Sequence, residues 1–422
     1  MRESCYPLEH MLGMDYYASD SPGIGGRLRA VPEDFVVEEL VEDIGNDGPF
    51  LICRLTKKDW DQQRAIREIG KRLGISYKRI GFAGTKDKHA VTSQFISIQG
   101  ILEDEIERMD IQDIRLEVAG RCQSPVTLGS HMANRFSITI REVTGPELAG
   151  IVNEVTGVCK NAVPNYFGIQ RFGVIRPVTH TIGKFILSRN YEGAVLHYVG
   201  EAFPGEPDKV RTARSTYIQT SDIRSALREF PLPLNYERSL LHHLDTHPSD
   251  YRGALAILPP KLLSLFVSAY QSHLFNRALS QRIADGGNLL DPLPGDRLQF
   301  ANGREDRVTK LNLENALLQI KRGRCWIALK MPGCSDIETE WRDIRQMECL
   351  LEEDGIKHED FCAVRDLVKM RFEGASRPIS LVTEVTAKIG EDVVQLSFLL
   401  PPGQYATTIC REYMKADPLM MV

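Results

Sequence analysis

Apolar positions recur along this chain with two different periods, and the changes of period mark out its elements. Phe35–Glu39 alternates apolar and polar residues after the turn Pro32-Glu33-Asp34, the pattern of a half-buried strand. Residues 59–74 set Ile66, Ile69 and Leu73 among charges at helical spacing, and Gly74 supplies a stop. The pattern then predicts a short strand or turn at Ile80–Ala83, strands at Val91–Ile98 and Arg135–Ile140, and a helix at Glu147–Cys159. This part of the chain reads as mixed α+β.

Further along, residues 181–196 and 221–229 have helical spacing, whereas 201–220 between them carries proline, glycine and few large apolar residues. A long helix is expected at Lys261–Ile283, introduced by Pro259-Pro260. Residues 291–296 (D-P-L-P-G-D) form a loop, and 297–345 is weakly periodic. Regularity returns with a helix near 358–371 and two strands, 379–388 and 392–400, joined through Ile389-Gly390-Glu391 as a hairpin. A tight turn and a last helix follow Leu400.

At 422 residues, two domains are expected, one of them able to sit inside the other. The content of 42% hydrophobic and 26% charged residues is that of an ordinary soluble protein. There is no apolar run long enough for a membrane span, and the first 20 residues are too mixed for a signal peptide, so the expectation is a cytoplasmic protein without membrane association. Nine dispersed cysteines without a C-x-x-C pair point to reduced thiols and away from a zinc site or a disulfide framework. A formal charge of −5 counts against a uniformly basic nucleic-acid binder. Between Arg64 and Lys88, however, eight Lys/Arg face two acids, a local net of +6 that suits phosphate.

That basic stretch ends in the segment richest in candidate chemistry, G-F-A-G-T-K-D-K-H-A-V-T-S-Q from Gly81 to Gln94. Asp87 stands there between Lys86 and Lys88, and a carboxylate among cations stays ionised, ready to attack an electrophile or accept a proton. Read alone, K-D-K is equally a solvated, charge-paired turn. Asn165-Tyr166-Phe167-Gly168-Ile169-Gln170-Arg171-Phe172-Gly173 interleaves aromatic rings, an amide and a guanidinium, groups that stack on bases and read polar edges or phosphate, though packing alone also produces such strings. Tyr270, Leu274 and Arg277 share one face of the long helix.

Taken together, these segments resemble the TruD family of tRNA pseudouridine synthases in its archaeal form. G-x-K-D-x-x-A-x-T-x-Q is present at 84–94, P-E-D-F-x-V-x-E at 32–39, N-x-F-G-x-Q-R-F-G at 165–173 and L-P-x-G-x-Y-A-T-x-x-x-R-E at 400–412. The likeness spans about residues 21–417. One departure is Ala133, where relatives carry a glycine before Asn134; alanine disfavours positive φ there. The resemblance implies an α+β fold: a catalytic domain around a bent antiparallel sheet (1–177 and 348–422), interrupted by a family-specific inserted α/β domain (178–347). Residues 1–20 are expected as a flexible extension.

The resemblance further implies isomerisation of uridine, at position 13 of tRNA, with Asp87 as the catalytic carboxylate. The carboxylate adds to C6 of the base, adds to C1′ of the sugar, or takes a sugar proton toward a glycal; these routes stay open. Arg29 is implied as its basic partner, Lys86 as a second cation, Phe35 as a base-stacking ring, and Asn165 and Phe167 as walls of the uracil pocket. Gln170 and Arg171 are assigned to the substrate side. The only partner implied is tRNA. No metal or organic cofactor is called for, and a monomer is the default. The alternatives are a non-catalytic RNA-binding protein of the same fold, a synthase acting on another uridine, and an unrelated hydrolase using Asp87.

Overall fold

The structure, a computed structural model, describes residues 1–143, 145, 147–334 and 341–421. The chain forms two compact units: Ala18–Val163 with Val382–Val422, and Met1–Tyr17 with Pro164–Leu381. The segment expected as an insertion, 178–347, falls within the second of these, together with 164–177 and 348–381.

The first unit is built on one large sheet. Its strands run in the order Thr386–Ile389, Val393–Leu400, Ala133–Val143, Phe35–Leu40, Val91–Gln99, Phe50–Lys58, Ile114–Cys122, with Gly25–Arg27 joined to Ala133–Val143 and Ile80–Phe82 to Val91–Gln99. All neighbours on this path are antiparallel except the central pair, Phe35–Leu40 and Val91–Gln99, which run parallel with Val36 opposite Val91. Phe35–Leu40 alternates as its sequence predicts, turning Phe35, Val37 and Glu39 inward. The helix Gln62–Arg72 buries Ala65, Ile66 and Ile69, the last two in a cluster with Leu51, Leu55, Ile96 and Ile98. Asp61 caps it by accepting the Arg64 N–H at 2.9 Å, and Gly74 follows it with φ +65°. The C-terminal helix Ala406–Met414 is buried along its whole length.

In the second unit the long helix Pro260–Ala284 packs on Thr179–Leu187 so closely that a Cβ on Gly183 would lie 2.1 Å from the Phe266 carbonyl oxygen. The weakly periodic region contributes three strands to an antiparallel sheet, in the order Glu305–Arg307, Arg297–Phe300, Cys325–Lys330, and Ser376–Pro378 completes it. Residues 1–17 are not a loose tail. Leu12 and Met14 are buried, the Asn276 amide donates to the Leu12 carbonyl at 3.0 Å, and the Ser280 hydroxyl donates to that of Gly13 at 2.7 Å.

Several predicted elements keep their places with shifted ends. The 181–196 helix is two helices, Thr179–Leu187 and Tyr191–Gly200, separated by Arg189 in left-handed backbone and Asn190 as cap. The 358–371 helix is likewise two short turns, His358–Ala363 and Arg365–Val368. The stretch 201–220 contains a helix, Asp208–Thr220, that apolar spacing does not reveal, because its buried face is Ala213, Arg214 and Tyr217. Arg214 is its centre: its guanidinium donates to Glu206 and Glu237, each at 2.8 Å, and to the carbonyls of Tyr198 and Val199. Among the described residues no helix is long and apolar enough to cross a membrane.

Removing the Arg214 guanidinium leaves two carboxylates buried without their main partner. Arg214→Leu is therefore expected to lower unfolding stability by about 3–5 kcal/mol, read by urea denaturation. Arg224→Ala, which breaks the exposed pair with Asp245, should change it by less than about 0.5 kcal/mol.

Candidate active site

The parallel central pair decides which loops meet. Two parallel strands in register start at the same end of the sheet, so the segment leading into Phe35 and the segment leading into Val91 lie side by side there. Phe50–Lys58, antiparallel to Val91–Gln99, finishes at that same end, with Lys57 opposite Thr92 and Lys58 opposite Val91. Residues far apart in sequence thus converge on the loop 83–90, which carries Asp87.

Asp87 is exposed, and its Oδ2 accepts a charge-assisted hydrogen bond from Arg29 Nη2 at 3.0 Å. Arg29 sits in left-handed backbone (φ 56°), a conformation that costs a non-glycine residue about 1–2 kcal/mol. Its guanidinium also lies over the Phe35 ring, 4.1 Å from the centroid. Phe35 is only 2% exposed and meets Phe136 edge-on at 6.2 Å. The three predicted residues Arg29, Phe35 and Asp87 are therefore together, with one ring face taken by arginine. His89 stands at the rim, one ring nitrogen 3.3 Å from Asp59 and the other 3.2 Å from the Arg29 carbonyl. Asp34 is a turn residue: it accepts the Val31 N–H and pairs with Arg141.

Lys86 does not flank the carboxylate as its place beside Asp87 suggests. Its ammonium turns inward, 2.7 Å from Glu39 and 2.8 Å from the Asn134 amide oxygen, and both ions are buried. Glu39 and Asn134 are directly opposed across the strand pair, which is why one lysine reaches both. Ala133 occupies ordinary extended backbone at the start of its strand, so no glycine is needed there. The second cation that reaches the Asp87 residue is Lys57, which sequence reading missed. It is 1% exposed and donates to the carbonyls of Asp87 at 2.7 Å and Trp60 at 2.8 Å. Burial pushes its amine down to about 8, against the opposing pull of Asp87. Lysine at the end of an otherwise β-forming strand was the one available signal. Thr92 and Gln94 are buried within the strand, where Thr92 Oγ1 and both Gln94 amide atoms have no hydrogen-bond partner among the described residues.

The remaining predicted residues form a cluster in the other unit. The Asn165 amide is committed at both ends, accepting from Arg377 Nη2 at 2.7 Å and donating to the Pro378 carbonyl at 2.9 Å. Arg377 also lies over the Phe167 ring at 4.1 Å, and Phe167 packs edge-on against Phe275 at 5.4 Å. The Phe167 backbone is fixed by Asn276, which accepts its N–H and donates to its carbonyl. Arg171 donates to Ser272 at 3.0 Å, its guanidinium 5.9 Å from Phe167, and Gln170 is half-buried beside it in the turn Ile169–Arg171. Arg377 is the organiser that no sequence motif announced.

In the first unit the basic stretch is displayed to solvent: Arg64, Arg67, Lys71, Arg72, Lys78 and Arg79 are all exposed. Among the described residues no group of three or more His, Cys, Asp or Glu is placed to hold a metal ion.

The family profile described as tRNA pseudouridine synthase D matches residues 11–413. A Methanosarcina acetivorans protein named "Probable tRNA pseudouridine synthase D" is 39% identical, with 98% of each chain covered. One of the same name from Pyrococcus abyssi is 38% identical over 94% of this chain and 98% of its own. A crystal structure from this family, of a Methanosarcina mazei protein, superposes with a TM-score of 0.84 at 37% identity, covering 98% of both chains.

The Lys86–Glu39 pair generates a stability test. Lys86→Met strands a buried carboxylate and is expected to cost about 3–5 kcal/mol in urea unfolding, and adding Glu39→Gln should return most of that loss.

Proposed function

The chain belongs to the tRNA pseudouridine synthase D family, and on that premise we propose that it isomerises uridine to pseudouridine in tRNA, at uridine 13 of the D arm, with Asp87 as the catalytic carboxylate. The observation that carries this reading is the meeting of Arg29, Phe35 and Asp87 at one end of the sheet: an accessible carboxylate, a guanidinium beside it and an aromatic ring beneath.

The reaction breaks the C1′–N1 bond, turns the uracil and joins C1′ to C5; the hydrogen at C5 leaves and N1 gains one. Asp87 serves it by adding to C6, by adding to C1′, or by taking a sugar proton, and each route needs an ionised oxygen held near the sugar. Arg29 supplies positive charge at that oxygen. A flipped uracil loses its stacking neighbours, and Phe35 offers a replacement face. Because the Arg29 guanidinium already occupies that face, stacking requires it to move aside while staying within reach of the carboxylate or of a phosphate. We assign Asn165 and Phe167 to uracil recognition, the Asn165 amide orienting Arg377 over the ring, with Gln170 and Arg171 toward the RNA. Lys86 acts in this reading from below, by fixing the loop.

The exposed cations from Arg64 to Arg79 suit tRNA phosphates, whose contacts supply affinity without choosing the base. Segment 178–347 is our candidate for the inserted domain, engaging the body of the tRNA. The enzyme is placed in the cytoplasm as a monomer, and none of its proposed steps calls on a metal or organic cofactor.

Carbodiimide mapping of pseudouridine on unmodified tRNA transcripts tests the proposal. The wild-type protein should mark uridine 13, and Asp87→Asn should abolish the mark while keeping tRNA affinity within about threefold, since the carboxylate adds nothing to phosphate binding. Binding with no pseudouridine at any position would replace this reading with that of an RNA-binding protein. A mark elsewhere would overturn the target and keep the chemistry.

A further inference from the structure

We propose that Lys57 is a positioning residue for the reaction: its buried ammonium is the tie that holds the main chain of Asp87 against the sheet and so sets where the catalytic carboxylate stands. This rests on the function proposed above for Asp87.

Three observations support it. Lys57 is 1% exposed, yet both of its hydrogen-bond acceptors are main-chain carbonyls, those of Asp87 and Trp60. An ammonium withdrawn from water without a carboxylate bonded to it is costly, and a fold needing only packing at that position would use an apolar side chain. The side chain of Lys86 anchors the loop on Glu39 and Asn134, but the loop's main chain has few ties. Among the described residues from Gly84 to His89, the main-chain groups hydrogen-bonded within the chain are the carbonyl of Asp87, to Lys57, and that of Lys88, to the Ala90 N–H. Finally, Lys57 opposes Thr92 in the strand register, which fixes its root rigidly at the end of the sheet where the loop crosses. Arg29 grips the carboxylate and Lys57 grips the carbonyl of the same residue, so Asp87 is held by both its side chain and its main chain.

Positioning of this kind predicts a loss in the chemical step and not in binding. A reacting group displaced by about 1 Å loses on the order of 100-fold in rate. Lys57→Met is therefore expected to lower the single-turnover rate of pseudouridine formation by about 10- to 100-fold with tRNA affinity unchanged within about twofold.

The charge gives a second readout. The groups acting on Lys57 are Asp87, Asp61 and Asp59, which favour its charge, and Lys86, which opposes it. With its amine lowered to about 8, the wild-type enzyme loses this charge as pH rises through that value, whereas Lys57→Arg keeps it. Between pH 7 and 9 the wild-type rate should fall severalfold more than that of Lys57→Arg, because a neutral amine holds the carbonyl less strongly than an ammonium. That comparison stands even where Lys57→Met fails to fold, which circular dichroism will show.

A folded Lys57→Met protein with a rate within twofold of wild type, or coincident pH profiles for wild type and Lys57→Arg, overturns the role of Lys57 while leaving that of Asp87 intact. A wild-type protein that forms no pseudouridine on any transcript removes both, and the Asp87→Asn control tells the two failures apart.

Discussion

One pairing organises the unit that carries Asp87: the parallel alignment of Phe35–Leu40 with Val91–Gln99 inside an otherwise antiparallel sheet. Parallel strands begin at the same end, and these two are entered by the segments carrying Arg29 and Asp87. A slip of one residue would turn Phe35, Val37 and Glu39 to the opposite face and separate Glu39 from Asn134. The burial of Val37, Phe136, Ile138 and Ile96 makes such a slip expensive, so the geometry around the carboxylate is set by the sheet and not by the loop that bears it.

Charge is then placed where hydrophobic burial alone would exclude it. Lys86 with Glu39 and Asn134, and Lys57 with two carbonyls, are buried, and Arg29 reaches Asp87 from a left-handed backbone conformation. Each is unfavourable taken singly; together they surround one exposed carboxylate with fixed positive charge and dipoles. The other unit repeats the device on a smaller scale, with Arg377 shared between the Asn165 amide and the Phe167 ring. In each unit the aromatic ring assigned to the base carries an arginine at 4.1 Å.

Much of this was legible in the residues themselves. Strand alternation located Phe35–Leu40, helical spacing located Gln62–Arg72 and Pro260–Ala284, and glycine with proline marked the turn before Ala406–Met414. Those signals are local, and they are strong where an element buries one apolar face. They failed at Asp208–Thr220, whose inward residue is Arg214, and in the first 17 residues, whose order comes from Asn276 and Ser280 on a distant helix.

The linear sequence determined which elements form and which residue types are available for chemistry, because periodicity, turn propensity and motif are properties of neighbours along the chain. It did not determine the direction of Lys86 or the presence of Lys57 and Arg377. A long side chain goes wherever its charge finds partners, and those partners are supplied by strand register: Glu39 opposite Asn134, and Lys57 at the strand end where the Asp87 loop crosses. Only the folded sheet brings them within hydrogen-bonding distance.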